Sequence, residues 1–241
     1  MDPRPLAAER MLSGVKKILC IGSGKGGVGK SLVTSLTALL MKKRGAKVGL
    51  LDLDLHGPSL STILGENRAV VREDRGLLPQ RVAGIQLMSI LPFVGSNPSF
   101  LRGYDVSNAV LELLSVTRWG SLDFLLVDMP PGGGDGIMDI ARFIRRAGFL
   151  LVSTPSKVTL PTVRTMTLSL LALGMRIEGI VENMSIGEPP LSKELAEELG
   201  VRFLGVLPFD AEVEKAIGEP KKLLKTAVAA ELEKIIKRLV K

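Results

Sequence analysis

The feature that most constrains this chain is the run from Ile18 to Ser31, where four apolar or small residues break into glycines and end in Lys30 and Ser31. Apolar residues then recur at helical spacing, so the order predicts strand, loop, helix. The frame Gly24-x4-Gly29-Lys30-Ser31 is that of a phosphate-binding loop. Its glycines let the backbone curl so that successive N–H groups and the following helix N-terminus surround a phosphate chain. Gly24, Lys25, Gly26, Gly27, Val28, Gly29, Lys30, Ser31 and Leu32 are the expected cradle. Lys30 would reach the terminal phosphates, and Ser31 would hold Mg2+. A plain turn before a surface helix needs neither the Lys-Ser pair nor four glycines in six positions.

From this loop the pattern alternates. A strand up to Ile21, a helix from Lys30 to about Arg44, a stop at Gly45 and a strand from Lys47 to Leu53 make a βαβ unit. Such a unit implies a parallel sheet covered by helices on both faces. Further strands are expected at Gly84 to Ile90, Leu122 to Asp128, Gly148 to Ser153, Ile177 to Asn183 and Arg202 to Leu207. Helices are expected at Val106 to Val116, Gly136 to Arg146, Leu160 to Leu173, Ser192 to Leu199, and as one amphipathic piece from Lys222 to Val240. The expected class is α/β, a single three-layer αβα domain with a mostly parallel sheet over residues 16–241. Residues 1–15, with Pro3, Pro5 and Gly14 and no sustained period, read as a flexible or loosely docked arm in which Leu6 to Leu12 could make two helical turns.

Three carboxylates fall where open α/β sheets place ligands, at strand ends. Asp52 and Asp54 close the second strand, and alternation puts both on one side, near a metal and an attacking water. Capping of the helix that begins near Pro58 would explain one of them but not the pair. Asp128 ends a fully apolar run and is the expected metal-shell acid, giving Ser31, Asp54 and Asp128 as metal candidates. After it, Pro130 and Pro131 stiffen a loop that Gly132, Gly133 and Gly134 free again, which suits a segment that responds to a γ-phosphate. His56 reads as a packing or hydrogen-bonding residue of the loop between.

With 241 residues, 46% of them hydrophobic, the chain can bury a sizeable core. Its longest apolar runs fall far short of a membrane span and no cleavage pattern opens it, so it is expected to be soluble and cytoplasmic. One cysteine, Cys20, and one histidine leave neither a disulfide framework nor a zinc site. The net charge of +7 is moderate. Basic residues gather from Lys221 to Lys241 and could attract DNA or an anionic membrane, though such a pattern is more often the wet face of a terminal helix.

Lys25 is a second lysine that an ordinary phosphate loop does not need. The form Lys25-Gly26-Gly27-Val28-Gly29-Lys30-Ser31 resembles the deviant Walker A motif of the MinD/ParA/Mrp group of P-loop ATPases (SIMIBI-like). With Gly57-Pro58-Ser59 after the paired aspartates, Pro130-Pro131-Gly132 after Asp128, the segment Gly179 to Ser185, and Leu207-Pro208-Phe209-Asp210, the chain resembles the Mrp family, the iron-sulfur carrier branch of that group. The resemblance covers almost all of residues 16–217. It implies ATP or ADP with Mg2+, slow hydrolysis, and a homodimer closed across the nucleotides, with Lys25 acting in trans. It further implies Asp54 beside the attacking water, Asp52 supporting it, and Asp128 ordering the metal shell. Asn183 and the backbone from Pro208 to Asp210 would meet adenine.

One departure bears on the cargo. Family carriers follow the Asn-Met-Ser segment with Cys-x-x-Cys, whereas this chain continues Ile186-Gly187-Glu188-Pro189-Pro190-Leu191. Thiolates are the usual ligands of iron-sulfur clusters, so direct cluster binding is not expected of this chain alone. The expected function is a nucleotide-switched homodimer that acts on a protein client in the context of cluster assembly. Two alternatives are a MinD-like or ParA-like positioning ATPase that binds membrane or DNA, and a non-hydrolysing scaffold that pairs with a Cys-x-x-Cys relative.

Overall fold

Val15–Ser23 form strand β1 at the middle of an eight-stranded sheet in a computed structural model that describes residues 2–54, 59–66, 72–93, 103–132 and 141–239. The other strands are β2 (Val48–Asp52), β5 (Gln80–Val82), β6 (Ile85–Ser89), β7 (Leu122–Asp128), β8 (Gly148–Ser153), β9 (Arg176–Ser185) and β10 (Phe203–Pro208), while β3 (Arg72–Glu73) and β4 (Leu77–Leu78) pair apart. Across the sheet the order is β10, β9, β8, β1, β7, β2, β6, β5. Every pairing is parallel except β5 with the edge of β6. Near-continuous apolar strands such as β2 and β8 are buried along their whole length, as a sheet covered on both faces requires.

Alternation within each strand feeds two cores. Ile18, Cys20, Leu51, Leu125, Val127, Phe149, Leu151 and Ile180 point to one side of the sheet, while Leu19, Ile21, Leu50, Leu126, Leu150, Val152 and Val181 point to the other. On the first side lie α1 (Arg4–Leu12), α4 (Gly103–Val116), α5 (Leu160–Ala172) and α6 (Leu191–Glu198). On the second lie α2 (Lys30–Lys43), α3 (Ser59–Ile63), α7 (Glu212–Ala216), α8 (Pro220–Leu223) and α9 (Ala227–Leu239). This is the expected three-layer αβα arrangement.

Two elements differ from the sequence expectation. Instead of a flexible arm, residues 4–12 form α1, which packs against α4 with Ala8 and Leu12 buried. The Arg146 guanidinium fastens its exit by donating to the carbonyls of Leu12 and of Val15, the latter at 2.8 Å. The helical turns were legible at Leu6 to Leu12, but their docking was not, because the groove that takes them belongs to α4, about a hundred positions further along the chain. The single terminal helix is split into α8 and α9. Thr226 interrupts it, its hydroxyl donating to the Leu223 carbonyl at 2.7 Å and accepting the Ala229 N–H at 3.2 Å, as an N-cap does. The Asp210 carboxylate accepts the Ala227 N–H at 2.8 Å and completes that cap from another loop.

Candidate nucleotide and metal site

The loop between β1 and α2 is held from both flanks by contacts that only glycine permits. At Gly24 a Cβ would stand 2.3 Å from Thr162 Oγ1 and 2.7 Å from the Thr162 carbonyl carbon at the start of α5. Gly29 takes a left-handed φ of 80° at the head of α2, and a Cβ there would meet Asn183 Nδ2 at 2.4 Å. That same amide donates to the Val28 carbonyl at 2.9 Å, and the Ser23 hydroxyl donates to the Lys25 carbonyl at 2.9 Å. Two carbonyls of the loop are thereby turned outward and occupied, leaving its N–H groups to serve an anion. Around Gly26 and Gly27 nothing among the described residues lies within 4 Å of an added Cβ.

Beneath the loop, Asp128 ends β7 and is fully buried. Three groups from α2 converge on its oxygens: the Ser31 hydroxyl donates to Oδ2 at 2.7 Å, the Thr34 hydroxyl to Oδ1 at 2.8 Å, and Lys30 Nζ lies 2.8 Å from Oδ2. Lys30 Nζ also stands 3.6 Å from Asp54 Oδ2. The parallel register sets Asp52 directly beside Asp128. Burial, and then the Asp128 charge, push the Asp52 carboxyl up to about 8, partly offset by the Asp54 N–H that Asp52 Oδ1 accepts at 3.1 Å. Asp52 is therefore mostly protonated near neutral pH.

The donor set fits Mg2+. Among the described residues no group of three or more His, Cys, Asp or Glu side chains could hold a metal without help. Mg2+ in nucleotide sites does not need one, because it takes one or two carboxylates, a hydroxyl and the phosphates themselves, all hard oxygen ligands. Ser31 with Asp128 and Asp54 could supply that share, and the Lys30 ammonium sits among the same oxygens.

The structure brings Lys30, Ser31, Asp52, Asp54 and Asp128 together as the spacing suggested. Leu32 lies half-buried in the first turn of α2. Asn183 is buried against the loop, its amide nitrogen spent on Val28. Pro208 ends β10, and the next residue, Phe209, donates its N–H to the Ser185 carbonyl at 2.8 Å, drawing the ends of β9 and β10 together. The Asp210 side chain is engaged by the N–H groups of Glu212 and Ala227, so only its backbone is free to meet a base. Lys25 is exposed, and among the described residues its ammonium has no ion pair. His56, Pro58 and the glycines 133–134 lie outside the described residues; the entry to that loop is tied down by the Gly132 N–H, which donates to the Ser23 carbonyl at 2.9 Å. Cys20 is fully buried in β1, and burial raises its thiol far above the ordinary range.

Sequence reasoning passed over Thr34 and Thr162. Thr34 carried a legible signal, since it lies four residues after Lys30 and so on the same helix face. Thr162 carried none, because its contact with Gly24 depends on how α5 packs.

A parallel sheet with a glycine loop at the end of its central strand, a Lys-Ser pair opening the next helix, and a buried aspartate at the end of the adjacent strand define a P-loop NTPase. Comparisons narrow the class. A family model described as ParA, NUBPL iron-transfer P-loop NTPase, matches residues 14–241, and the chain belongs to this family. It is 39% identical over 249 residues to an iron-sulfur cluster carrier protein of Methanocaldococcus jannaschii, covering 95% of this chain and 86% of that one. Against the carrier protein of Aquifex aeolicus the identity is 36%, covering 90% of this chain and 65% of the relative's length. The cytosolic Fe-S cluster assembly factor NUBP2 of Bos taurus is 37% identical, with 86% and 84% covered. Among solved structures, a nucleotide-binding protein of Archaeoglobus fulgidus in complex with ADP superposes with a TM-score of 0.77 at 31% identity, covering 91% of this chain and 92% of that one. The septum site-determining protein MinD of Pyrococcus horikoshii, complexed with Mg-ADP, shares the fold with a TM-score of 0.73 at 21% identity, covering 94% and 96%.

Proposed function

We propose that this chain binds ATP with Mg2+, hydrolyses it slowly, and works as a nucleotide-dependent homodimer whose affinity for a protein client changes with the nucleotide. The observation that carries the reading is the convergence of Lys30, Ser31 and Thr34 on buried Asp128 beneath a loop that bears an exposed cation, Lys25, with no ion pair among the described residues. One lysine serves the chain's own phosphate chain. The other is exposed and without an ion pair among the described residues, and in a dimer it would stabilise transition-state charge in trans. Asp54 would sit beside the attacking water, with Asp52 behind it. Asn183 and the backbone from Pro208 to Asp210 would border the adenine.

The relatives' names support a client in iron-sulfur cluster assembly, with the cluster as cargo and not as a resident cofactor. The chain's one thiol is sealed inside β1, which supports a carrier or partner that supplies the ligands. A cytoplasmic site of action agrees with this, and no described helix is long and apolar enough to cross a membrane. The apolar side of α9 is spent on the core through Val228, Leu232, Ile235 and Ile236, which weighs against a membrane-targeting part for the terminal helix.

Size-exclusion chromatography with light scattering, in ATP and in ADP, tests the switch: a dimer in ATP is expected, and a monomer in both would reject it. Lys25→Ala should keep nucleotide binding while losing roughly 10³-fold or more in turnover, the scale of a lost trans cation. Normal turnover would remove the trans role. Anaerobic reconstitution with iron and sulfide should leave no stoichiometric visible absorbance in the purified chain.

A further inference from the structure

Between the end of α2, the β5–β6 turn and α8 lies a groove of about 640 Å3, at the end of α2 remote from the phosphate loop. Lys42 follows Lys30 by twelve residues, which at 1.5 Å per helical residue sets the groove roughly 18 Å from the site described above. Leu39, Ala83, Pro220 and Leu224 make up its apolar lining, and Lys42, Lys43, Lys221 and Glu219 its charged lining. The apolar part is recessed: Leu39 is buried and Ala83, Pro220 and Leu224 are half-buried, whereas all three lysines are exposed.

The lysines outnumber the carboxylates that could neutralise them. Glu219 is taken by Lys222 at 2.7 Å. Glu233 stands 3.9 Å from Lys43 but also 3.7 Å from Arg44 and 3.9 Å from Lys237, one acid among three cations. Lys42 and Lys221 have no ion pair among the described residues. Lys42 is nonetheless held in place. Its ammonium donates to the Ala83 carbonyl in a two-residue turn where Ala83 and Gly84 both take left-handed φ, 48° and 75°. A Cβ on Gly84 would stand 2.5 Å from Lys42 Nζ, so the turn offers bare backbone for this lysine to lie against. An ammonium already fixed loses less freedom on meeting a carboxylate than a mobile one does.

We infer that this groove docks an acidic segment of a partner protein whose apolar side chains enter between the lysines. Charge selects the occupant. A second copy of this chain, itself carrying a net charge of +7, would be repelled. A lipid surface would meet the exposed lysines but leave the recessed apolar lining uncovered, and α9 has spent its own apolar side on the core. Nucleic acid favours arginines and stacking rings, and neither lines the groove. Carboxylates of a peptide pair with the lysines while leucine-like side chains cover Leu39 and Leu224. Equating that partner with the nucleotide-controlled client rests on the function proposed above; the groove itself does not.

Fluorescence anisotropy of a labelled peptide of glutamates carrying two leucines one helical turn apart, added to the full chain without nucleotide, tests the inference. Binding is expected at low salt with a Kd on the order of 10⁻⁴ M or below, weakening steeply as salt is raised. Exchanging the leucines for serines should weaken it about tenfold, through the apolar burial lost. Lys42→Gln with Lys221→Gln should also weaken it about tenfold, two surface pairs at their measured scale. Melting temperature and affinity for a fluorescent ATP analogue should stay unchanged in that variant; Lys221→Glu, a single exposed change on α8, gives the same reading if the double variant is destabilised. No binding, equal binding by the variants, or equal binding of the serine peptide would overturn the inference. Pelleting with anionic vesicles, or nucleotide-free self-association, that the double variant abolishes while the peptide goes unbound would give the groove to a lipid surface or a second copy and overturn it equally. A chain that binds the peptide but not Mg-ATP would sink the proposed function and leave the groove standing.

Discussion

Asp128 exposes no surface, yet its two oxygens take a hydroxyl each from Ser31 and Thr34 and share an ammonium with Lys30. A buried carboxylate is tolerable only with such a full set of donors. Thr34→Val keeps the shape and removes one of them. It is expected to cost roughly 1–3 kcal/mol in urea unfolding, the cost of an unsatisfied buried acceptor, and to weaken Mg2+-dependent nucleotide binding. An unchanged unfolding midpoint would mean that the hydroxyl does no such work. Asp52 behaves oppositely. Its folded carboxyl titrates at about 8 and its ordinary value is 3.8, so between these pH values the folded protein holds a proton that the unfolded chain has lost. Stability of the metal-free and nucleotide-free protein should therefore fall as pH rises from about 4 to about 8 and level off above. Asp52→Asn should flatten that part of the profile in chemical denaturation; a profile identical to the unaltered protein's would contradict it.

At the scale of elements, the strands and the loop were readable because they rest on local rules. A glycine-rich break after an apolar run, followed by Lys-Ser, predicts strand, loop and helix with boundaries within a few residues of β1, α2 and β2. The sequence did not reveal which glycines are indispensable. Gly24→Ala drives a Cβ into the backbone of α5 and should lower the melting temperature and abolish nucleotide binding, whereas Gly26→Ala meets nothing among the described residues and should leave the melting temperature unchanged. Equal effects of the two, read by thermal denaturation, would refute the packing argument. Thr226 and α1 teach the same point from the other side. The break between α8 and α9 depends on Asp210 reaching across from another loop, and α1 is ordered by a groove on α4 and by Arg146. No local period encodes either.

For the whole molecule, the site is a junction of separate chain segments: the end of β1, the first turns of α2, the ends of β2 and β7, the start of α5 and the end of β9. A ligand that binds only this assembled junction stabilises all of it by mass action, by about 2.7 kcal/mol at a hundredfold excess over its Kd. For a chain of this size that corresponds to a rise of roughly 5–10 °C in melting temperature. Mg-ATP should produce such a shift in the unaltered protein and none in Gly24→Ala; absence of any shift in the unaltered protein would count against the site.

The sequence alone determined the class of fold and pointed to the glycine loop, the Lys-Ser pair and the acids that the structure brings together, because phosphate geometry demands glycines and a lysine at fixed spacing, and strand periodicity places acids at strand ends. Only the tertiary structure decided that Thr34 secures Asp128 and that Asn183 and Thr162 clamp the loop at Val28 and Gly24. Those relations join residues tens to more than a hundred positions apart, and such distances are set by how helices pack on the sheet and by the order of its strands, which no local pattern records.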